Sequence, residues 1–125
     1  MALKVRRSED NRFTYVEASG PVTLADWESL RDEEQAMGGR RLLLADVRER
    51  EGLPSGPDAR EWGYLAPAWI AAAMVTREGA QYGMARVTAA IAERRGIPVR
   101  VFTDRGPALE WLQDLTNGQE PDLTR

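Results

Sequence analysis

The side chains best placed to do chemistry are carboxylates and hydroxyls at the ends of apolar runs. Asp46 follows LLLA at 42–45, Thr76 follows WIAAAMV at 69–75, and Thr103 and Asp104 follow IPVRVF at 97–102. If these runs are parallel strands, their carboxyl ends are where ligands tend to sit, and a few polar groups converging there make a default site. Arg48, Arg77, Glu78 and Arg105 lie within a few residues. Asp46 with Asp104, or Glu78 with either, would form an acid–base pair if the separation were short and the pKa values were driven apart. The plainer reading is that these acids end strands and cap helices, with the arginines pairing them at the surface. Nothing in their spacing distinguishes them from the rest of the 20 acidic residues.

Other chemistries are excluded by composition. The chain has no histidine and no cysteine. A Ser-His-Asp triad, a Cys-His pair, a zinc site built on His or Cys, and a haem held by either are therefore ruled out. Lys4 is the only lysine among 17 basic residues, so a Schiff base would rest on one side chain near the chain start. Gly79 and Gly83 match neither GxGxxG nor GxxxxGK[ST], and Gly83 reads as a packing position in a helix. The expectation is a protein that is not an enzyme and uses no cofactor or metal.

The aromatic group Trp62, Tyr64, Trp69 and Tyr82 is the strongest feature. Three of the four fall within eight residues, in a segment without charge after Glu61. They suit core and lid packing, or an apolar pocket or partner patch, because Trp and Tyr bring large area with a polar tip. The short element that carries Trp62 lies between a Gly/Pro loop and Pro67, so Trp62 or Tyr64 is expected at a partner or ligand surface. Trp111 shares a helical stripe with Ala108, Leu112 and Leu115 and is expected in the core.

Positioning these residues takes alternating strands and helices. Leu3–Arg7 and Arg12–Glu17 predict a hairpin around Ser8-Glu9-Asp10-Asn11. Thr23 begins a helix with Asp26 completing a capping box, an apolar stripe of Leu24, Trp27, Leu30 and Met37, and a stop at Gly38-Gly39. Residues 42–45 read as a buried strand ended by Asp46, and 49–57 as a loop. Asp58 caps a short helix to Tyr64 or Leu65, and Trp69–Val75 is a second inner strand. Ala80–Arg95 is a helix with Ala80, Met84, Val87 and Ile91 on one side, stopped by Gly96. Ile97–Phe102 is the last strand, Pro107 opens the last helix, and the polar segment 116–125 is expected to fray. The order is β-β-α-β-α-β-α-β-α, an α/β fold with a mixed, mostly parallel sheet of about five strands.

At 125 residues, with 42% hydrophobic and 30% charged side chains, residues 1–125 read as one domain. A net charge of −3 with a pI of about 5.1 argues against nucleic acid. No run is long enough to span a membrane and the chain start lacks a signal core, so the expected location is cytoplasmic.

The segments LLLADVRE at 42–49, YGMARVTAAI at 82–91 and VRVFTDRGPALEWL at 99–112 resemble the SpoIIAA-like family of small bacterial domains, the STAS/SEC14-like group. The element order agrees over residues 3 to 115. The resemblance implies a mixed sheet with helices packed on it. It implies much less about activity. The leading expectation is a non-enzymatic, STAS-like regulatory module that binds a protein partner, itself included as a homodimer. The alternative, from the SEC14-like side, is a carrier or sensor of a small apolar ligand. In anti-sigma-antagonist STAS domains a serine in an Asp-Ser-Ser-Gly-like turn is phosphorylated. Ser55-Gly56 occupies roughly that region, but Pro54 precedes it and Pro57 follows it, so Ser55 reads as a turn residue rather than a phosphoacceptor.

Overall fold

Ser8 Oγ donates to Asp10 Oδ1 at 2.7 Å and accepts the Phe13 amide at 3.1 Å, while Asn11 takes the left-handed turn conformation at φ 61°. This turn joins β1 (Leu3–Arg7) to β2 (Phe13–Gly20) in antiparallel register, Val5 opposite Val16. The computed structural model describes residues 2–116. The expected frayed tail, beyond Thr116, lies outside the described residues.

From β2 onward the chain alternates. It runs through α1 (Leu24–Met37), β3 (Arg41–Arg50), α2 (Gly56–Leu65), a 3₁₀ turn at Ala66–Ala68, β4 (Trp69–Val75), α3 (Ala80–Arg94), β5 (Val99–Phe102) and α4 (Arg105–Thr116). The sheet order is β1-β2-β3-β4-β5, with β2 to β5 parallel. Strands added in one direction by right-handed crossovers place every crossover helix on the same side. Accordingly Trp27 and Leu30 of α1, Trp62 and Leu65 of α2, and Ala85 of α3 share one core with Val16, Leu43, Ala45, Val47, Ala72 and Met74. α4, which follows the last strand, is free to cover the other side. There Ala108 and Leu112 bury against Leu42, Leu44, Ala71, Ala73 and Val75.

The alanines of β4 are what let helices approach both sides of the sheet. The closest helix contact lies elsewhere: a Cβ on Gly63 of α2 would come within 2.6 Å of Ile91 Cβ and 2.8 Å of the Thr88 carbonyl oxygen on α3. Gly83, the expected packing glycine, has open space around it.

Several sequence expectations shift. β3 does not stop at Asp46 but runs to Arg50, because β2 continues beside it and pairs Ser19 with Glu49 and Gly20 with Arg50. Ser55, not Asp58, caps α2: its hydroxyl accepts the Asp58 amide at 3.1 Å. β5 starts at Val99, two residues later than expected, and α4 starts at Arg105, two earlier than Pro107. The buried stripe of α3 is Gln81, Ala85, Thr88, Ala89, Ile91 and Ala92 rather than Ala80, Met84 and Val87, since small side chains are what the close α2 contact admits. On α1, Met37 is exposed and Glu34 is buried in its place. The Thr23–Asp26 capping box forms as expected.

Candidate functional site

The strand ends lie side by side, Asp46 beside Val75 and Val75 beside Phe102, and the acid at their centre is tied up in ion pairs. Asp46 is buried and gripped by Arg48, with Nε at 3.0 Å and Nη2 at 2.8 Å, while Arg105 Nη1 stands 3.7 Å away. Burial pushes the Asp46 carboxyl up, but the Arg48 hydrogen bonds and the two guanidinium charges outweigh it and hold the pKa below the ordinary range. An acid held ionised by two arginines is poorly suited to exchange protons near neutral pH. Thr76 is fully buried with an unpartnered hydroxyl. Its amide donates to the Phe102 carbonyl oxygen at 2.8 Å, and Thr103 and Asp104, which follow Phe102, line an open depression of about 540 Å³ with Glu78, Gly79, Tyr82, Phe102 and Pro107. Among the described residues no acidic cluster is arranged to hold a metal ion. Ser55 sits exposed at the start of α2 with its oxygen engaged as a helix cap.

The aromatic group also divides. Trp62 and Trp69, expected at a surface, are 5% and 1% exposed. Their rings stack at 6.3 Å, and Trp27 meets Trp62 edge-on at 5.3 Å. The reason is the shared side of α1 and α2, which closes over this part of the sheet. Tyr64 points outward, 45% exposed, with Arg95 above its ring at 5.4 Å. Tyr82 stands half-buried on α3 beside Arg86. Trp111, expected in the core, is half-buried: it packs on Phe102 and under Arg100 at the last strand, where no further strand covers its flank.

Two polar arrangements were not anticipated. The first surrounds Glu34, which falls seven residues after Trp27 and four after Leu30, a helical spacing that marks it as inward-facing. Its carboxylate is 1% exposed and accepts from Arg7 Nε at 2.9 Å and Nη2 at 2.7 Å, from Trp69 Nε1 at 2.8 Å, and from Thr14 Oγ1. Arg41 Nη1 lies 4.0 Å away. Burial pushes the Glu34 carboxyl up, yet the hydrogen bonds from Thr14, Arg7 and Trp69 and the Arg7 charge bring it below the ordinary range.

The second is a cavity of about 50 Å³ between α1, α2 and α3, within an open recess of about 530 Å³. Trp27, Trp62, Met74, Met84 and Ala85 give it apolar walls, with Arg50 and Asp58 also lining it. Arg50 donates from Nη2 to the Val22 carbonyl oxygen at 3.1 Å. Its Nε and the Trp62 Nε1 are buried without a hydrogen-bond partner. Each such orphan costs about 1–3 kcal/mol. Burial lowers the Arg50 pKa, partly offset by the charge of Asp58. Gln81 and Thr88, also in the lining, are satisfied: Gln81 bridges the Arg77 amide and the Val47 carbonyl oxygen, and Thr88 donates to the Ala59 carbonyl oxygen.

Among the described residues no helix is long and apolar enough to cross a membrane. No protein-family model matches the chain, and no curated protein does. Among solved structures the chain is similar to an uncharacterised protein of the DUF3478 family with a SpoIIAA-like fold from Shewanella loihica PV-4. The two are 24% identical, with a TM-score of 0.58 over 89% of this chain and 92% of that one. Together with the five-stranded, mostly parallel sheet and its four helices, that likeness gives this chain a SpoIIAA-like fold.

Proposed function

We propose that the protein is a non-enzymatic, STAS-like binding module whose partner is a second copy of itself, docked edge to edge at β5. The observation that supports this is the contrast between the two outer strands. β1 carries Lys4 and Arg6, charges that discourage strand pairing, whereas β5 is Val-Arg-Val-Phe. The Pro98 and Phe102 carbonyl oxygens accept from Ala72 of β4 and from Thr76 just past its end. By alternation the main-chain groups of Val99 and Val101 turn outward. They face a trough of about 810 Å³ lined by Tyr82, Arg86, Pro98, Arg100 and Trp111.

Arg100 and Phe102 occupy alternate positions along this edge, and Asp104 lies two residues past its end, in the bend before α4. An antiparallel approach of two copies centred on Phe102 brings each Arg100 alongside Asp104 of the second copy, and the two Phe102 rings against each other. Opposite charges across a strand pair favour that register, and like charges oppose it. The paired state of Asp46, held by Arg48 and Arg105, supports a role without acid–base chemistry.

Sedimentation equilibrium tests this. The wild type is expected to dimerise, Arg100→Asp to be monomeric, and the Arg100→Asp/Asp104→Arg double variant to recover the dimer. A monomeric wild type, or a dimer indifferent to Arg100→Asp, overturns the reading. A second reading, a carrier or sensor of a small ligand, is favoured by the cavity between α1, α2 and α3.

A further inference from the structure

We infer that this cavity binds a short amphipathic carboxylate, its head taken by the Arg50 guanidinium and the Trp62 indole N–H, its chain lying along Trp27, Met74 and Met84. The inference rests on the ligand-binding reading of the cavity and adds the chemistry of the ligand. Three observations carry it.

The first is that both orphaned groups are donors. Arg50 and Trp62 line the same cavity, and Arg50 Nε and Trp62 Nε1 are buried beside it without an acceptor. A ligand that satisfies them must offer acceptor oxygens, and a purely apolar one would leave both unmet. The second is charge. A half-buried guanidinium favours an anion, since charge-assisted hydrogen bonds are the strong ones and arginine matches the two oxygens of a carboxylate.

The third is that the molecule already contains the completed arrangement. At Glu34 an arginine and a tryptophan indole donate to one carboxylate, with Trp69 Nε1 at 2.8 Å and Arg7 Nη2 at 2.7 Å. Trp62 is stacked on Trp69, ring planes within 9° of parallel. The cavity thus presents an arginine and an indole without the carboxylate that the adjacent site draws from its own chain.

Size sets the rest. A water needs about 10–15 Å³, so a void of about 50 Å³ holds on the order of three to five non-hydrogen atoms, a head group and its first carbons. The remaining chain lies in the open recess past Val22, Leu24 and Pro54. Asp58, exposed beside the cavity, is the competing acid.

Titration of the full chain with sodium octanoate, 1-octanol and sodium acetate, followed by the indole N–H resonances in NMR, tests this. Octanoate is expected to bind at least tenfold tighter than octanol or acetate and to shift the Trp62 indole proton downfield, toward the Trp69 resonance. Arg50→Met is expected to abolish the preference for octanoate over octanol. Asp58→Asn, which keeps Arg50, is expected to tighten octanoate binding severalfold. Equal binding of octanoate and octanol overturns carboxylate recognition and leaves the ligand-binding reading standing. No binding of any of the three overturns both.

Discussion

Two tryptophans stack in the core with their rings nearly parallel, and their indole N–H groups meet opposite fates. Trp69 donates to Glu34, whose carboxylate also takes Arg7 and Thr14. Trp62 and Arg50 line a cavity where neither the indole N–H nor the arginine Nε has an acceptor among the described residues. Both regions lie against α1, but Glu34 is closed off from solvent whereas the cavity opens into its recess. A fold that closes one such site with its own glutamate and leaves the other open has separated a structural polar cluster from a receptive one.

The largest expected effect comes from opening the closed site. Glu34→Ala leaves Trp69, Thr14 and Arg7 without their acceptor. It is expected to destabilise by roughly 3 kcal/mol, the low end for breaking a buried ion pair because Arg7 keeps some access to solvent. Arg50→Met removes the orphaned Nε along with the single Nη2 bond to the Val22 carbonyl oxygen, and is expected to stay within about 1 kcal/mol of the wild type. Urea denaturation of both variants measures the pair. If Arg50→Met destabilises as much as Glu34→Ala, the cavity arginine is a structural member and the contrast disappears.

A smaller effect separates the indoles themselves. Trp69→Phe and Trp62→Phe remove similar ring volume, but only the first deletes a hydrogen bond to a charged group. Trp69→Phe is expected to be the less stable by about 1.5 kcal/mol. Equal losses would mean that the Trp69–Glu34 bond adds nothing to stability.

The mildest test is acid. The folded Glu34 carboxyl lies below the ordinary range, so the unfolded chain takes up that proton first as the pH falls. Its contribution to stability is full above the ordinary glutamate pKa of about 4.3 and is lost as the pH drops through the folded value. Glu34→Gln is therefore expected to show a shallower acid-side decline in melting temperature than the wild type. Parallel declines would assign acid sensitivity to other carboxyls, Asp46 first among them, since it too is held below the ordinary range.

The elements were legible where hydrophobic pattern and capping chemistry agree, as in WIAAAMV, the Thr23–Asp26 box and the Gly38-Gly39 stop. Their ends were less so, because hydrogen-bonded pairing carries β3 on through Asp46 to Arg50, past the point where the apolar run gives out. The candidate site was harder to read. The density of aromatics between 62 and 82 was visible, but the side each ring faces depends on where α1 and α2 close, and that is set by tertiary packing. Glu34 carried a usable signal in its spacing from Trp27 and Leu30, hidden by the assumption that Met37 was the apolar member of the stripe. Arg50 carried none: an arginine in a charged run, RERE at 48–51, reads as solvated, and only the shape of the recess shows its Nε to be enclosed.

The strands sit in the sheet in the order in which they occur in the chain. During synthesis each strand finds its neighbour already made, and none has to be threaded between two that have paired. Of the described helices, the one that shields the far side is the last to leave the ribosome. Until α4 is complete, Leu42, Leu44, Ala71, Ala73 and Val75 form a bare apolar surface on the nascent chain. The final dozen described residues therefore govern how long the newborn protein is vulnerable to aggregation.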